Sequence, residues 1–253
     1  MSDLATASVA ARLRAMTPAR VALGRTGVSL QTRDVLDFQL SHARARDAVH
    51  ARLQAAALAA EIAGACGLAD REVLRLHSAA VDRAAYLQRP DLGRVLDEWS
   101  REQLARYSGA QFDLAPMVAD GLSALAVERH AAPLLRELMP RLPGLRIAPV
   151  CIVEQGRVAL GDEIGLALAA EIAIVLIGER PGLSSPDSLG AYITWSPRPG
   201  RTDAERICIS NIRAEGLSYV QAAEQLERVV MEARRDRRTG VALPENSSER
   251  LLG

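Results

Sequence analysis

Apolar runs alternate with polar, amphipathic segments along the chain from about residue 110 onward. Each run is rich in apolar and β-branched residues, which is typical of buried strands. The runs are "FDLAPMVADGLS" (112–123), "LRIAPVCIVEQGRVAL" (145–160), "IAIVLI" (172–177), "SLGAYITWSP" (188–197) and "RICISNI" (206–212). Residues 124–138 and 162–170 have helical spacing, and Ser218 with Gln221 predicts a capping box for a last helix that ends near Arg235.

The first half of the chain is alanine-rich and has the pattern of helices. Residues 32–63 favour one long helix, residues 70–82 a second, and a third follows Pro90 and Gly93 and ends near residue 107. The first 110 residues are therefore expected to be all helix. The predicted organisation is a flexible leader (1–16), a helical N-terminal region (17–109), an α/β ligand-binding domain (110–236) and a C-terminal tail (237–253).

Strands that alternate with helices usually pair in parallel, because each crossover helix returns the chain to the same end of the sheet. The predicted fold is α/β: a Rossmann-like, mostly parallel sheet with helices on both faces, preceded by the N-terminal helical region. In such sheets ligands bind beyond the carboxyl ends of the strands. Glu179 and Arg180 closely follow the run at 172–177, and Asp120, Gly121 and Ser123 follow the first run. These residues are candidate ligand contacts.

The amino-acid composition narrows the range of binding partners and reactions that are consistent with the sequence. The 253 residues include 31 basic and 31 acidic side chains, so no net charge draws the protein to nucleic acid or to an anionic membrane. Every basic residue is arginine, which excludes a Schiff-base lysine and a phosphate-loop lysine. Three widely spaced cysteines do not make a disulfide framework, and no apolar stretch reaches the roughly 18 residues of a membrane span. The cytoplasm is the expected location.

Motifs for self-contained catalysis are absent from the sequence. No GxG pair occurs, so the glycine fingerprint of a dinucleotide site is missing. HExxH, GxSxG, a paired CxxC and a phosphate loop are missing too. The four histidines fall in predicted helices, and His42 lies on an apolar stripe, where a core or interface role is favoured over catalysis. These absences argue against an independent nucleotide-binding enzyme.

Six segments together resemble the small subunit, or light chain, of ethanolamine ammonia-lyase. They keep that family's order and approximate spacing, and they are "LGRTGVSLQTRDVLDFQLSHARARDAV", "YLQRPDLGR", "VADGLS", "GRVALGDEIG", "VLIGERPGL" and "CISNI". The resemblance implies one half of an adenosylcobalamin-dependent enzyme that converts ethanolamine to acetaldehyde and ammonia. In that family the large subunit binds ethanolamine and carries most of the radical chemistry, and the small subunit helps to cover the cobalamin at the subunit interface.

The resemblance also assigns three cofactor-binding residues by position: Val158 in "GRV", Glu179 in "GERPG" and Cys208 in "CISN". By residue type alone, Val158 is typical of a core and Cys208 of a buried, inert thiol. Glu179 with Arg180 is equally consistent with a local ion pair. With the resemblance, we expect Glu179 to accept hydrogen bonds from the corrin amides, Val158 to pack apolar surface and Cys208 to allow close approach. No catalytic residue and no metal ligand is assigned.

The resulting hypothesis is the small subunit of a carbon–nitrogen lyase that is active only as a hetero-oligomer with the large subunit. Cobalamin proteins that coordinate cobalt through their own histidine usually carry a DxHxxG motif, which is absent here. The cofactor is therefore expected to keep its own nucleotide base as lower ligand. The alternative is a cobalamin carrier or assembly module with no part in catalysis. Members of the family can be packaged in bacterial microcompartments, so the expected location is the cytoplasm or such a compartment.

Overall fold

A six-stranded mixed β-sheet with helices on both faces forms the body of the protein. The computed structural model describes residues 2–17 and 19–240, with the backbone alone for residues 2–8 and 70. The strands are β1 (Arg25–Thr26), β2 (Ser29–Leu30), β3 (Val73–His77), β4 (Phe112–Ala119), β5 (Val150–Glu154), β6 (Ala170–Gly178), β7 (Leu189–Trp195) and β8 (Arg206–Ile212). The α-helices are α1 (Ser2–Met16), α2 (Thr32–His50), α3 (Ala55–Cys66), α4 (Arg83–Gln88), α5 (Glu98–Ala105), α6 (Ala124–Leu138), α7 (Leu160–Ala167) and α8 (Tyr219–Asp236).

The strand order of the main sheet is β3-β5-β4-β6-β7-β8, and β1 and β2 form a separate hairpin. Strands β3, β5, β4 and β6 run parallel, whereas β7 and β8 are each antiparallel to the strand before them. The predicted α/β class is confirmed, and all five strands predicted after residue 110 form.

The sheet is less parallel than expected, and its order differs from the 3-2-1-4-5-6 order of Rossmann folds. The cause is the length of the connections. Only residues 179–188 join β6 to β7, and only residues 196–205 join β7 to β8. A parallel crossover needs about a dozen residues or more, usually with a helix, so these strands pair as hairpins instead.

The prediction of an all-helical first half is wrong at the β1–β2 hairpin and at β3. The segment predicted as a helix over 70–82 forms a 3-10 turn (Asp70–Glu72) and then β3, which pairs in parallel with β5 at the edge of the sheet. Leu74 and Leu76 pack into the core while Arg75 between them is exposed. This period of two fits a strand, and pairing with β5 outweighs the helix propensity of leucine and arginine in so short a segment.

The N-terminal helices differ from the prediction in their boundaries. The single helix expected over 32–63 is interrupted at 51–54, between α2 and α3. Helix α3 packs onto α6 through Leu58 and Ile62, whereas most of α2 is exposed. The predicted leader lies in α1, whose helical conformation is consistent with its alanine content, and its flexibility stays a prediction. Residues 241–253 of the predicted tail lie outside the described residues, and the domain boundaries stay a prediction.

Two hydrophobic layers pack helices onto the faces of the sheet. On one face α3, α6 and α8 cover side chains such as Leu114 and Ile174. On the other face α5 and α7 cover Met117 and Val175. Apolar burial, at about 25 cal/mol per Å², is the main stabilising term for both layers. Because helices cover both faces of the sheet, a ligand can reach it mainly at the ends of the strands.

Serine caps form at two of the helices on the first face, and the cap of α8 is the one predicted above from Ser218 and Gln221. Ser123 Oγ accepts a hydrogen bond from the Ala126 N–H at 3.2 Å at the start of α6. Ser218 and Gln221 make the predicted capping box at the start of α8. The first of these caps fixes the turn that follows β4, which is also the first loop of the site described next.

Candidate functional site

A hollow of about 310 Å³ lies beyond the carboxyl ends of β4, β5 and β6. Three loops meet there, at 120–123, 155–159 and 179–188, because the parallel strands all end at this edge. The lining residues are Tyr86, Gly121, Leu122, Arg157, Val158, Ile177, Gly178, Glu179, Arg180 and Tyr192. The hollow therefore lies where the alternation of strands and helices predicts a ligand.

Val158 and Glu179 both line this hollow, and Cys208 lies beside it. Cys208 is on β8 directly opposite Tyr192 of β7, and Tyr192 belongs to the lining. Cys208 is exposed, in contrast to the buried thiol that its residue type suggests. Partial desolvation raises the pKa of its thiol, so the group is neutral near pH 7. The three residues assigned by position thus border one region of the surface.

Glu179 is held as a hydrogen-bond acceptor at the rim of the hollow. Its Oε2 accepts from Ser188 Oγ and, at 3.3 Å, from the Asn211 N–H. Within the described residues Glu179 forms no ion pair, so the local pair with Arg180 is not formed. A side chain at Gly190 would come within 2.9 Å of Glu179 Oε1, so glycine there makes room for the carboxylate. Oε1 itself has no donor in the described part of the chain and is available to a ligand.

The turn after β4 is packed closely against the end of β6. Gly121 has a positive φ of 54°, and a Cβ atom there would clash with the Gly178 carbonyl oxygen. A Cβ atom at Gly178 would in turn clash with the carbonyl oxygen of Ser123. The Leu122 N–H donates to the Gly178 carbonyl oxygen at 2.9 Å. Glycine at both positions lets the two loops approach each other.

A buried ion pair lies beneath these loops. Arg83 Nη1 donates to the Gly121 carbonyl oxygen at 2.8 Å and lies 3.5 Å from Asp120 Oδ2. Asp120 Oδ1 accepts from the Gly156 N–H at 3.0 Å. Burial raises the pKa of Asp120 to about 6, although the positive charge of Arg83 opposes the shift. The pair joins α4 to the loops after β4 and β5.

Tyr86 connects this buried pair to the rim. Its ring lies between two guanidinium groups, with Arg83 4.9 Å and Arg157 4.6 Å from the ring centroid. Its hydroxyl donates to the Gly156 carbonyl oxygen at 3.2 Å, and burial raises its pKa to about 12. Gly93 packs against the ring where a side chain would be crowded. Sequence reasoning did not assign Tyr86 to the site, although the segment "YLQRPDLGR" that contains it is part of the resemblance.

A second, polar hollow of about 470 Å³ adjoins the first. The two hollows share Arg157, Val158 and Tyr192. The second is also lined by Arg94, Ala159, Arg201, Thr202, Asp203 and Arg206. Val158 therefore lies between a hollow with apolar walls and one rich in arginine.

The linings of the two hollows offer hydrogen-bonding groups and apolar surface to a ligand. Among residues 2–17 and 19–240, no group of three or more histidine, cysteine, aspartate or glutamate side chains is placed to hold a metal ion. The groups offered are a carboxylate acceptor, guanidinium donors and apolar walls. In the same part of the chain, no helix has the length and apolar content needed to cross a membrane.

A comparison with known protein families covers nearly the whole chain. The family model of the ethanolamine ammonia-lyase light chain (EutC) matches residues 7–244. The chain belongs to the ethanolamine ammonia-lyase light-chain family. The family resemblance of the six sequence segments is thereby confirmed. The light-chain match spans both hollows and the N-terminal helices α2 and α3.

Curated relatives of this light chain are similar over almost all of its length. The ethanolamine ammonia-lyase small subunit of Pseudomonas aeruginosa (strain LESB58) is 56% identical over 246 residues, 95% of this chain and 88% of that protein. The small subunit of Pseudomonas fluorescens (strain Pf0-1) is 55% identical over 245 residues, 95% and 88% of the two chains. That of Xanthomonas campestris pv. campestris (strain B100) is 54% identical over 248 residues, 96% and 90%. The family name denotes a lyase, and the name small subunit implies a larger partner.

Proposed function

We propose that this light chain is the small subunit of an adenosylcobalamin-dependent ethanolamine ammonia-lyase, which converts ethanolamine to acetaldehyde and ammonia. Its task is to bind one edge of the corrin and to exclude water at the interface with the large subunit. The observation that carries the proposal is that Val158 and Glu179 line one hollow and Cys208 lies directly beside it. We expect the complex in the cytoplasm or in a bacterial microcompartment.

The residues around the hollow fit the chemistry of a corrin. The edge of a corrin carries neutral amides around an apolar ring. Glu179 Oε1 has no donor among the described residues and can accept a hydrogen bond from an amide N–H. Leu122, Val158 and Ile177 supply apolar walls against which the ring can pack. The exposed Cys208, a small side chain, leaves room on the β8 side.

The size of the hollow supports a site shared with a second chain. Its volume of about 310 Å³ is at the lower end of the roughly 300 to 1,000 Å³ of pockets that bury a drug-sized ligand. A corrin with its side chains is larger than such a ligand. This chain would therefore cover one edge of the cofactor, and the large subunit would cover the rest.

The family resemblance implies that the large subunit binds ethanolamine and that the light chain helps to hold the cofactor. Bound adenosylcobalamin supplies radical chemistry through homolysis of its cobalt–carbon bond. The light chain holds the cofactor, with the orientation of Glu179 fixed by its two hydrogen-bond donors. Arg157 and Arg180 at the rim repel the protonated amine of ethanolamine. The substrate is therefore expected to bind mainly on the large subunit, and the light chain alone should be inactive.

The variant Glu179→Gln tests the assignment of the carboxylate. Because an amide is neutral and a weaker acceptor, the two-subunit complex should bind adenosylcobalamin about tenfold more weakly. The measurement is a spectrophotometric titration of the complex with the cofactor. Glu232→Gln, on the exposed side of α8 across the sheet, is the matched control and should leave the affinity unchanged. Equal affinities for the two variants would remove Glu179 from the site.

A deamination assay distinguishes a lyase subunit from a carrier. The chain is co-expressed with an ethanolamine ammonia-lyase large subunit, purified, and assayed for acetaldehyde with and without adenosylcobalamin. Activity that requires both chains and the cofactor supports the proposal. A chain that binds cobalamin but neither co-purifies with the large subunit nor supports deamination would be a carrier or assembly module instead.

A further inference from the structure

Four arginines line the polar hollow beside Val158, and two of them lack a partner charge. Arg201 and Arg206 each form an ion pair with a carboxylate. By contrast, Arg94 and Arg157 form no ion pair with any residue in the ranges that the structure describes. Two positive charges therefore face this hollow without compensation from the protein.

The acidic groups nearby do not neutralise these two arginines. Asp203 is the carboxylate in the lining of the polar hollow, and its side chain is 97% exposed and paired with Arg206 at 3.6 Å. In the adjoining hollow Glu179 is the one carboxylate among the described residues of the lining, and it forms no ion pair with Arg94 or Arg157. Arg180 adds a third guanidinium without an ion pair among the described residues. The combined rim of the two hollows favours an anion.

Arg157 is fixed in position although no carboxylate of the described residues forms an ion pair with it. Its guanidinium stacks on the Tyr86 ring at 4.6 Å, and its Nη2 donates to the Tyr86 carbonyl oxygen at 3.2 Å. Its backbone N–H donates to the Gly93 carbonyl oxygen at 2.8 Å, which ties it to the residue before Arg94. Its Nε is buried and has no hydrogen-bond acceptor in the described part of the chain. A buried donor without an acceptor is costly, and here it belongs to a side chain that is already preorganised.

The chemistry of guanidinium groups identifies the class of ligand. Arginine presents a planar fork of donors that matches the oxygen atoms of phosphate groups and binds them with charge-assisted hydrogen bonds. A neutral amide would not use the two charges, and a protonated amine would be repelled by them. The hollow is therefore suited to a phosphate monoester or diester.

We propose that Arg94 and Arg157 form a phosphate-binding site beside Val158. The inference rests on the proposed function for the identity of the ligand: the phosphodiester in the nucleotide loop of cobalamin, the anionic group on the periphery of a molecule whose other side chains are neutral amides. The corrin edge then occupies the hollow at Glu179, and the nucleotide loop extends past Val158 into the polar hollow.

The test compares two forms of the cofactor on the two-subunit complex. Adenosylcobinamide lacks the nucleotide loop and its phosphodiester, whereas adenosylcobalamin carries both. Arg94 lines the polar hollow and not the first one, so Arg94→Met should weaken the binding of adenosylcobalamin about tenfold or more and leave the affinity for adenosylcobinamide unchanged. Arg157 lines both hollows, so Arg157→Met should weaken the binding of adenosylcobalamin about tenfold more than that of adenosylcobinamide. Arg157→Lys keeps the positive charge but not the planar set of hydrogen-bond donors, so it should weaken the binding of adenosylcobalamin less than Arg157→Met does. Arg228→Met, at an exposed position of α8 across the sheet, is the control and should change neither affinity.

Each outcome separates this inference from the proposed function. Equal losses for both cofactor forms, or no loss for either, would overturn the phosphate site and leave the proposed function in place. If the wild-type complex does not bind adenosylcobalamin, the proposed function fails, and the site is tested with inorganic phosphate on the full chain. Phosphate should then raise the melting temperature of the wild type above that in chloride of equal ionic strength, and not that of the Arg94→Met/Arg157→Met double variant. No difference between them would overturn the site as well.

Discussion

Arg83 shows how one buried side chain can hold several loops together. Its Nε donates to the Val49 carbonyl oxygen at 2.6 Å and its Nη1 to that of Gly121, and it lies against Asp120. Its Nη2 has no acceptor among the described residues. The desolvation of a buried ion pair can exceed its Coulombic attraction, so such a pair is weak evidence for stability. Its clearer effect here is to fix α4 and the turn after β4 relative to each other.

The titration of Asp120 should be visible in the stability of the protein. Its pKa of about 6 in the folded state lies above the ordinary value of 3.8, so the folded state binds this proton more tightly than the unfolded chain does. The contribution of Asp120 to stability is therefore most favourable at low pH and falls as the pH rises from about 4 to about 6. Between pH 4.5 and pH 7 the fall is on the order of 2 kcal/mol.

The variant Asp120→Asn removes this titration while it keeps the size of the side chain. Urea unfolding at several pH values gives the free energy of unfolding of both proteins. The free energy of unfolding of the wild type minus that of the variant should decrease by on the order of 2 kcal/mol between pH 4.5 and pH 7. A difference that does not change with pH would contradict a raised pKa at Asp120.

At the scale of elements, the site depends on loops that approach each other closely. The turn after β4 contacts the end of β6 through two glycines, and the β6–β7 connection carries Glu179 and its donor Ser188. Helix α6 begins directly after the turn and is capped by Ser123. Strand ends, turn and cap therefore form one continuous structure, and a change in the turn should affect both stability and the site.

Gly121→Ala tests this close approach. The alanine would have to adopt a left-handed conformation, and its Cβ would clash with the Gly178 carbonyl oxygen, so we expect a loss of about 3 kcal/mol in the free energy of unfolding. Gly109→Ala is the matched control, because Gly109 also has a positive φ but no atom lies within 4 Å of the place that its Cβ would take. Gly109→Ala should lower the free energy of unfolding only by the strain of the left-handed backbone, about 1 to 2 kcal/mol. Equal losses in urea unfolding would show that packing at Gly121 is unimportant.

Elements were predictable from the sequence where a local signal and the tertiary structure agree. Helix α6 has both an apolar stripe and the serine cap at Ser123, and its predicted range, 124–138, is the observed one. Strand β3 has only five residues, with leucine and arginine in place of β-branched side chains at most positions. Its conformation is set by pairing with β5, more than seventy residues away in the chain, and no local pattern reports such a contact.

At the scale of the whole molecule, several large apolar side chains are exposed on the β1–β2 hairpin and on α2. Val28 is 94% exposed, and Leu36 and Leu40, one turn apart on α2, are 58% and 50% exposed. Exposed apolar patches on soluble proteins commonly mark contacts with other proteins. Because the relatives are named small subunits, we expect the large subunit to cover this surface.

The double variant Leu36→Asp/Leu40→Asp tests that expectation. Both side chains are exposed, so the isolated chain should keep its circular dichroism spectrum and melting temperature. Co-purification with the large subunit should fall about tenfold or more, because two charges would be desolvated at an apolar contact. Val220→Asp, at an exposed apolar position of α8, should not affect assembly. Normal assembly of the double variant would place the interface elsewhere.

The location of the site follows from the sequence, but much of its content does not. Glu179 could be singled out because a charged residue closely follows a buried strand. Val158 and Cys208 were assigned only through the family resemblance, since valine and cysteine are ordinary core residues by type. Tyr86 and Arg157 meet only after α4 packs onto the loop behind β5, a contact between residues about seventy positions apart. The spacing of residues along the chain does not indicate that Tyr86 and Arg157 are in contact.

The lining of the first hollow runs from Tyr86 on α4 to Tyr192 on β7. The hollow is therefore complete only when the chain from α4 to β7 has left the ribosome and folded as one unit. A nascent or truncated product that ends before residue 192 lacks one of its walls. Under the proposed function, such a product would have no complete site for a corrin.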